Sequence, residues 1–364
     1  MKRTRQSRGS IRQESQWILA CISSLRLLLT IVAISAATAW SQTLDIRDTE
    51  NANSPPLAEG ESMRGHGSFS ITYLNTYVNG FWLDSNTKEA IGPERSLGVA
   101  LDFDYYVADA WSVHVGIPYL SNKYTGPQPH CPTTAPPQCA PGNPQYQNIP
   151  VLNPPHPESQ FIDDGKYHST WQDFSLGAAW HTDVNGYLIT PSVTAVIPSH
   201  DYVFFDNAAV GQRLHQLVLA GLLEHQFEFT NIYYRLGYGY AFSQHVTAYD
   251  SNNVAYRFNT GYQRFGGELG YFINPKLSVR ALLSGRIGNG ASAGEILPLA
   301  AGQTDDIWYH HDQISEHTYF GAGLGFDYNL NDHYSLTADI QREFFGELVF
   351  NFKYAFELKL SRGF

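Results

Sequence analysis

Methionine is nearly absent from this chain, with 2 in 364 residues. Ala, Leu, Glu and Lys do not dominate either, which speaks against a helical bundle. Charge is sparse as well: 16% of residues are charged, and 23 Lys+Arg stand against 34 Asp+Glu, for a net charge of −11. A nucleic-acid partner is excluded on that ground, because neutralising phosphates needs a concentrated cationic surface. Long apolar runs are missing beyond residue 39, so no transmembrane helix is expected there. What the chain does have is ring and glycine, with Tyr 23, Phe 21, Trp 7 and Gly 31. Such a chain is too rich in buriable surface to stay disordered, and its composition suits many strands joined by tight turns.

The first 39 residues read as a secretory signal peptide. Lys2, Arg3, Arg5, Arg8, Arg12 and Arg26 precede the apolar run Leu27 to Ala39, which ends in the small-x-small tripeptide Ala37-Thr38-Ala39. Ile18-Leu19-Ala20-Cys21 offers a competing lipoprotein reading, but its apolar run lies on the wrong side of the cysteine. Residues 40–66 then form a periplasmic N-terminal segment, and 67–364 the folded body.

Period-two alternation runs through that body. Leu97-Val99-Leu101-Phe103-Tyr105-Val107 alternates with Asp102 and Asp104, and Trp111-Val113-Val115-Ile117-Tyr119 alternates with Ser112, His114 and Gly116. Near the end, Phe350-Phe352-Tyr354-Phe356-Leu358-Leu360 alternates with Asn351, Lys353, Glu357 and Lys359. One face of each strand suits lipid and the other a polar lumen, and the runs are longer than the ~5–6 residues of an ordinary strand. Five short turns and six outer connections, most of them long, separate about twelve such strands. The fold class expected is therefore all-β: a single antiparallel transmembrane β-barrel of about 12 strands, the structure that satisfies every backbone group in lipid without helices.

The chain so described resembles a Gram-negative outer-membrane β-barrel protein. Its last alternating strand, with Phe356, Leu358, Leu360 and the terminal Phe364, is similar to the signal read by the barrel-assembly machinery, although Arg362 departs from the pattern. More loosely, the chain is similar to the phenol meta-pathway group of outer-membrane proteins. That resemblance implies passive passage of small, apolar or aromatic solutes with outer-membrane lipid as partner and no cofactor. The alternatives are an outer-membrane enzyme of the phospholipase type and a structural barrel with a plugged lumen.

On this register the lumen-lining positions are Asp102, Asp104, His114, Asp173, Arg235, Arg257, Arg280, Asp327, Asp339 and Lys353, together with Glu343, Glu357, Arg286 and Lys359. The wall is mixed in sign, and two readings stand: pairing across the interior, or lining a water path with a transverse field. Neutralising Asp104 or Arg280 is expected to change ion selectivity without unfolding the barrel. Gly321, Gly323 and Gly325 make room inside, for side chains from across the lumen or for a solute. A phase change at Phe265-Gly266-Gly267-Glu268 suggests a β-bulge in a strand spanning 254–272.

The long outer loop 121–169 is rich in proline and carries Cys131 and Cys139, expected to form a disulfide in an oxidising compartment. Asp163, Asp164, His168, His200, Asp201, His310, His311 and Asp312 gather at the outer strand ends, where they could hold a divalent metal or serve as ordinary polar loop residues. His168-Ser169 and Ser199-His200 are the only hints of a nucleophile beside a base. Trp82, Phe204, Phe205, Trp308 and Tyr309 read either as a preference for aromatic solutes or as an interfacial girdle.

Overall fold

The computed structural model describes residues 62–82, 87–89, 92–126, 162–250, 252–292, 295–296 and 306–364. The expected signal peptide at 1–39, most of the expected periplasmic segment 40–66, and Cys21, Cys131 and Cys139 lie outside the described residues.

Twelve antiparallel strands form the wall. They are β1 (Gly67–Trp82), β2 (Glu94–Ala108), β3 (Trp111–Tyr124), β4 (Phe174–Trp180), β5 (Tyr187–Ile197), β6 (Gln216–Gln226), β7 (Ile232–Ser243), β8 (Tyr262–Asn274), β9 (Leu277–Gly288), β10 (Thr318–Asn329), β11 (Tyr334–Glu347) and β12 (Val349–Gly363). Each pairs with its sequence neighbours, and β12 pairs with β1 from Ser68↔Gly363 to Trp82↔Val349. The sheet therefore has no free edge, which is the condition for placing strands in lipid.

Alternation sorts the side chains as the sequence requires. Along β1, Ser68, Ser70, Thr72 and Thr76 are buried, while Phe69, Ile71 and Tyr73 are exposed. The exposed face is aliphatic at mid-height, with Leu176, Leu219, Leu269 and Leu324, and aromatic near the ends. Trp111, Trp180 and Tyr334 sit beside the short turns, and Tyr119, Trp171 and Phe344 near the opposite rim. Aromatic belts flanking an apolar band are what the two water interfaces of a bilayer select.

The turns at one end are short. Asn185 and Gly186 take φ of 58° and 80°, the left-handed pair that a two-residue hairpin needs. Asp109, in the first turn, accepts a hydrogen bond from the Arg64 amide at 3.2 Å and one from the Ser62 hydroxyl, so the chain just before β1 is fastened to the short-turn end. Two expected strands are interrupted. In place of one strand over 254–272 there is a hairpin of Val246–Tyr249 with Ala255–Phe258, forming its own two-stranded sheet, and β8 begins at Tyr262. The pairing of β8 runs unbroken past Gly266 and Gly267, so the bulge expected there is absent; the phase change is absorbed by the break at 259–261. Likewise His168–Trp171 pairs with the outer half of β3 and β4 with its inner half. The break at Gln172-Asp173 lies opposite Pro118, which has no amide hydrogen for the ladder, and the Gln172 amide donates to the Pro118 carbonyl at 3.0 Å.

Candidate functional site

In the half of the barrel nearer the short turns, charged side chains from neighbouring strands form one continuous arc. Glu224 on β6 pairs with Arg235 on β7, which reaches Glu268 on β8 at 3.7 Å. Glu268 reaches Arg280 on β9, also at 3.7 Å, and Arg280 pairs with Asp327 on β10 and, at 2.7 Å, with Asp339 on β11. Ser278 and Thr337 also donate to Asp327, at 3.1 and 2.7 Å. The pairs run sideways along the wall, between adjacent strands or, for Arg280 and Asp339, over Gly325 of the strand between them, because strands ~4.8 Å apart bring such side chains together more readily than opposite walls do. Inward glycines give them space: a Cβ on Gly325 would run into Asp339 Oδ1, and one on Gly270 into the Tyr233 ring. A partly open cavity of about 220 Å³ lies at this end, lined by Glu224, Tyr233, Arg235 and Asp327 among others.

On the inner face of β2, β3 and β4 is a second polar group. His114 on β3 lies with Nδ1 3.0 Å from Asp104 on β2 and Nε2 3.3 Å from the Ser175 hydroxyl on β4. The order of contacts matches a nucleophile, base and orienting acid, but a hydrolase also needs amide donors aimed at an oxyanion. Ser175 sits inside a strand paired on both sides, to Gly116 and to Val196, so the amides around it belong to the ladder. Gly116 completes the fit, since a Cβ there would meet the Ser175 hydroxyl, Asp102 and His114.

The outer end is filled by chain that folds inward. The connection from β5 to β6 buries Tyr202, Phe204, Phe205, Ala208, Val210 and Leu214. It is anchored by the Tyr202 hydroxyl, which donates to Asp173 and accepts from the Arg213 amide at 2.8 Å, and by Gln172 Nε2, which donates to the Val210 carbonyl at 2.8 Å. Desolvation, reinforced by the Asp173 carboxylate, pushes the Tyr202 phenol well above its ordinary pKa, so it remains a donor. Asp163 accepts from the Ala208 amide at 2.9 Å and from Asn207 at 2.7 Å. Behind the loop, Leu214 joins Val246, Ala248, Ala291, Ile296, Ile307 and Ile314 in an apolar cluster, so the outer connections share a small core of their own. A partly open cavity of about 110 Å³ remains between this loop and the wall.

Among the expected lining residues, Asp102, His114, Asp173, Arg280, Asp327 and Asp339 are buried, and Asp104 and Arg235 partly so. Two are placed elsewhere. Arg257 stands exposed on the separate hairpin, outside the wall. Lys353 is exposed because register shifts after Tyr77↔Tyr354 put both Phe352 and Ala355 in the interior and turn Lys353 outward. Trp82, Phe204, Phe205 and Tyr309 are buried, which corrects their reading as an interfacial girdle; nothing is described of the Trp308 side chain. The His and Asp residues of the outer loops are held locally: His168 by Asp164 at 2.8 Å, His310 by Gln313 at 2.7 Å, His311 by Asp312 at 3.2 Å and Asp201 by Arg213 at 4.0 Å. No group of three or more metal-ligating side chains occurs among the described residues. His200 takes the Ser199 hydroxyl at 2.8 Å on one ring nitrogen and Thr170, not a carboxylate, at 3.0 Å on the other. Glu94, Glu224, Glu268, Ser175 and Tyr202 enter the site without having been singled out from the sequence.

The structure resembles the COG4313 outer membrane channel from Pseudomonas putida F1, with a TM-score of 0.57 and 12% identity over 86% of this chain and 99% of that one. The NanC porin (TM-score 0.42, 7% identity, 81% of this chain and 98% of that one) and the CymD monoaromatic hydrocarbon channel (0.37, 11%, 83% and 89%) are also similar. No protein-family model and no curated protein sequence matches the chain. At these identities the likeness is one of fold, and the fold is that of a bacterial outer-membrane β-barrel.

Proposed function

We propose that the protein is a passive outer-membrane channel for small solutes. The observation that carries this reading is the charged arc from Glu224 to Asp339 held against the wall of a closed barrel, with a cavity at each end. Side chains paired along the wall leave the axis less obstructed than side chains paired across it. The likeness in fold to an outer membrane channel supports the same reading. Acidic groups outnumber the two arginines in the arc, so small cations should pass more readily than anions. The inward-folded outer loop limits passage to small molecules, and its phenylalanines suit solutes with an apolar or aromatic body.

The terminal Phe364 serves recognition by the barrel-assembly machinery in this reading; its ring is half-exposed and stacks on Phe103 at 6.1 Å. The protein is not an enzyme in this reading, and Ser175 and His114 belong to a polar network of the wall. Planar-bilayer recordings of the refolded chain test the proposal: small, cation-selective unitary currents are expected. Bilayers that stay silent, with heat-modifiable gel migration confirming a folded barrel, would replace the channel with a plugged structural barrel.

A further inference from the structure

The cavity at the outer end has a chemistry of its own. Glu94, at the first position of β2, is 5% exposed, and its Oε2 has no hydrogen-bond partner. Asn122, its neighbour on β3, is also 5% exposed; its Nδ2 donates to the Ala209 carbonyl at 2.6 Å, and its Oδ1 has no partner. Both side chains line the cavity, as do Asp206 and Asp312. Two buried acceptors left unpaired each carry a desolvation penalty that a donor in the cavity would remove.

No lysine or arginine is among the described residues that line this space. The one titratable base there, His317, is held neutral: burial, with Arg286 and His311 nearby, pushes its imidazole down to about 3. The rest of the wall combines neutral polar side chains, Thr76, Ser96, Asn207 and Gln212, with the rings of Phe81, Phe204, Phe350 and Phe352. Carboxylates and aromatic faces both attract a cation, and the aromatic faces also accept an apolar body. Phe204 already shows the preference, with the Arg213 guanidinium 4.7 Å from its ring centre on the loop side.

We propose that this cavity is a binding site for a small organic cation, an ammonium group on an apolar or aromatic body, with Glu94 and Asn122 accepting from the nitrogen. It deepens the channel reading by naming the solute class the outer mouth selects. A lone metal ion suits the site less well, because it would leave the phenylalanine walls unused.

Calorimetric titration of the full chain, folded in nonionic detergent, tests this with benzylammonium as the probe and benzyl alcohol and benzoate as its neutral and anionic counterparts. Benzylammonium should bind at least about 10-fold more tightly than either, the ratio that a charge-assisted hydrogen bond supplies. Glu94→Gln should lose about the same factor, Asp312→Asn a smaller one, and Asp332→Asn, on an exposed turn at the other end, none. Equal affinity for the alcohol and the ammonium, or unchanged binding by a Glu94→Gln protein that shows normal heat-modifiable migration, would overturn the proposal. So would potassium chloride abolishing the calorimetric signal at concentrations matching benzylammonium, since the organic body would then contribute nothing. Conductance is read separately: binding without current defeats the channel reading and leaves this site, whereas current without binding does the reverse.

Discussion

Arg280 is where the charged arc is most exposed to test. Its side chain is 1% exposed and is shared by Asp327, Asp339 and Glu268, with Asp339 equally buried at 1%. At about 4 Å and an effective dielectric near 20, each pair is worth roughly 4 kcal/mol in Coulomb energy, much of which offsets the desolvation of both partners. Removing one member of a buried pair is different, because the orphaned charge keeps its desolvation cost, about 3–5 kcal/mol. Arg280→Gln retains bulk and some hydrogen bonding, and Ser278 and Thr337 still donate to Asp327. We therefore expect a loss near the lower bound, about 3 kcal/mol. The sequence-based expectation that neutralising Arg280 changes ion selectivity without unfolding the barrel therefore acquires a stability cost to be measured beside it. Urea unfolding in phospholipid vesicles, followed by tryptophan fluorescence, measures the loss, and the triple variant Arg280→Gln, Asp327→Asn, Asp339→Asn should recover most of it. A loss below about 0.5 kcal/mol, or no recovery in the triple variant, would mean the arc is bathed in water and contributes little.

Tyr202→Phe removes the hydroxyl that fastens the inward loop to Asp173 and Arg213; single-channel records should become noisier and larger in current, and unaltered records would show that the loop is held by packing alone. The His317 imidazole titrates near 3 when folded and near ~6.5 when unfolded, so the unfolded chain takes up the extra proton between those values. Its contribution to stability is then full above about pH 6.5 and is lost as pH falls towards 3, and His317→Gln should flatten that part of the unfolding-midpoint curve. Ser175 should resist labelling by a fluorophosphonate, and stoichiometric labelling would revive the hydrolase reading. Cys131 and Cys139 should be bridged in protein purified from outer membrane, as judged by intact mass with and without reductant; two free thiols would contradict it.

The wall was legible from sequence wherever one side of a strand is polar. The β2 run from Leu97 to Val107 shows its phase openly, and the structure buries Asp102 on the face expected. Legibility failed where alternation is lost. Gln216–Gln226 reads QLVLAGLLEHQ, almost continuously apolar, so nothing in it marks Glu224 as inward-facing. Glu94 lies in a stretch that reads as loop and proves to be the start of a strand. Lys353 lies beyond a register shift that leaves no mark in the residue types, whereas the break that puts Arg257 on a separate hairpin shows in the sequence only as a phase change a few residues further on. The inward fold of the β5–β6 connection is a tertiary event, set by contacts such as Tyr202 to Asp173 that no local pattern encodes.

The seam between the two ends of the chain has a kinetic consequence. Gly67 and Phe364 exchange backbone hydrogen bonds at 3.0 Å in both directions, so the pairing that closes the cylinder joins the first strand to the last residue. Every other pairing in the wall joins strands consecutive along the chain, and this one has the largest sequence separation in the folded body. Its loop-closure entropy is met in a single step, after the whole chain has been delivered, and until then β1 presents an unsatisfied edge. Truncation by even a few C-terminal residues should yield protease-sensitive chains and not a slightly weakened barrel.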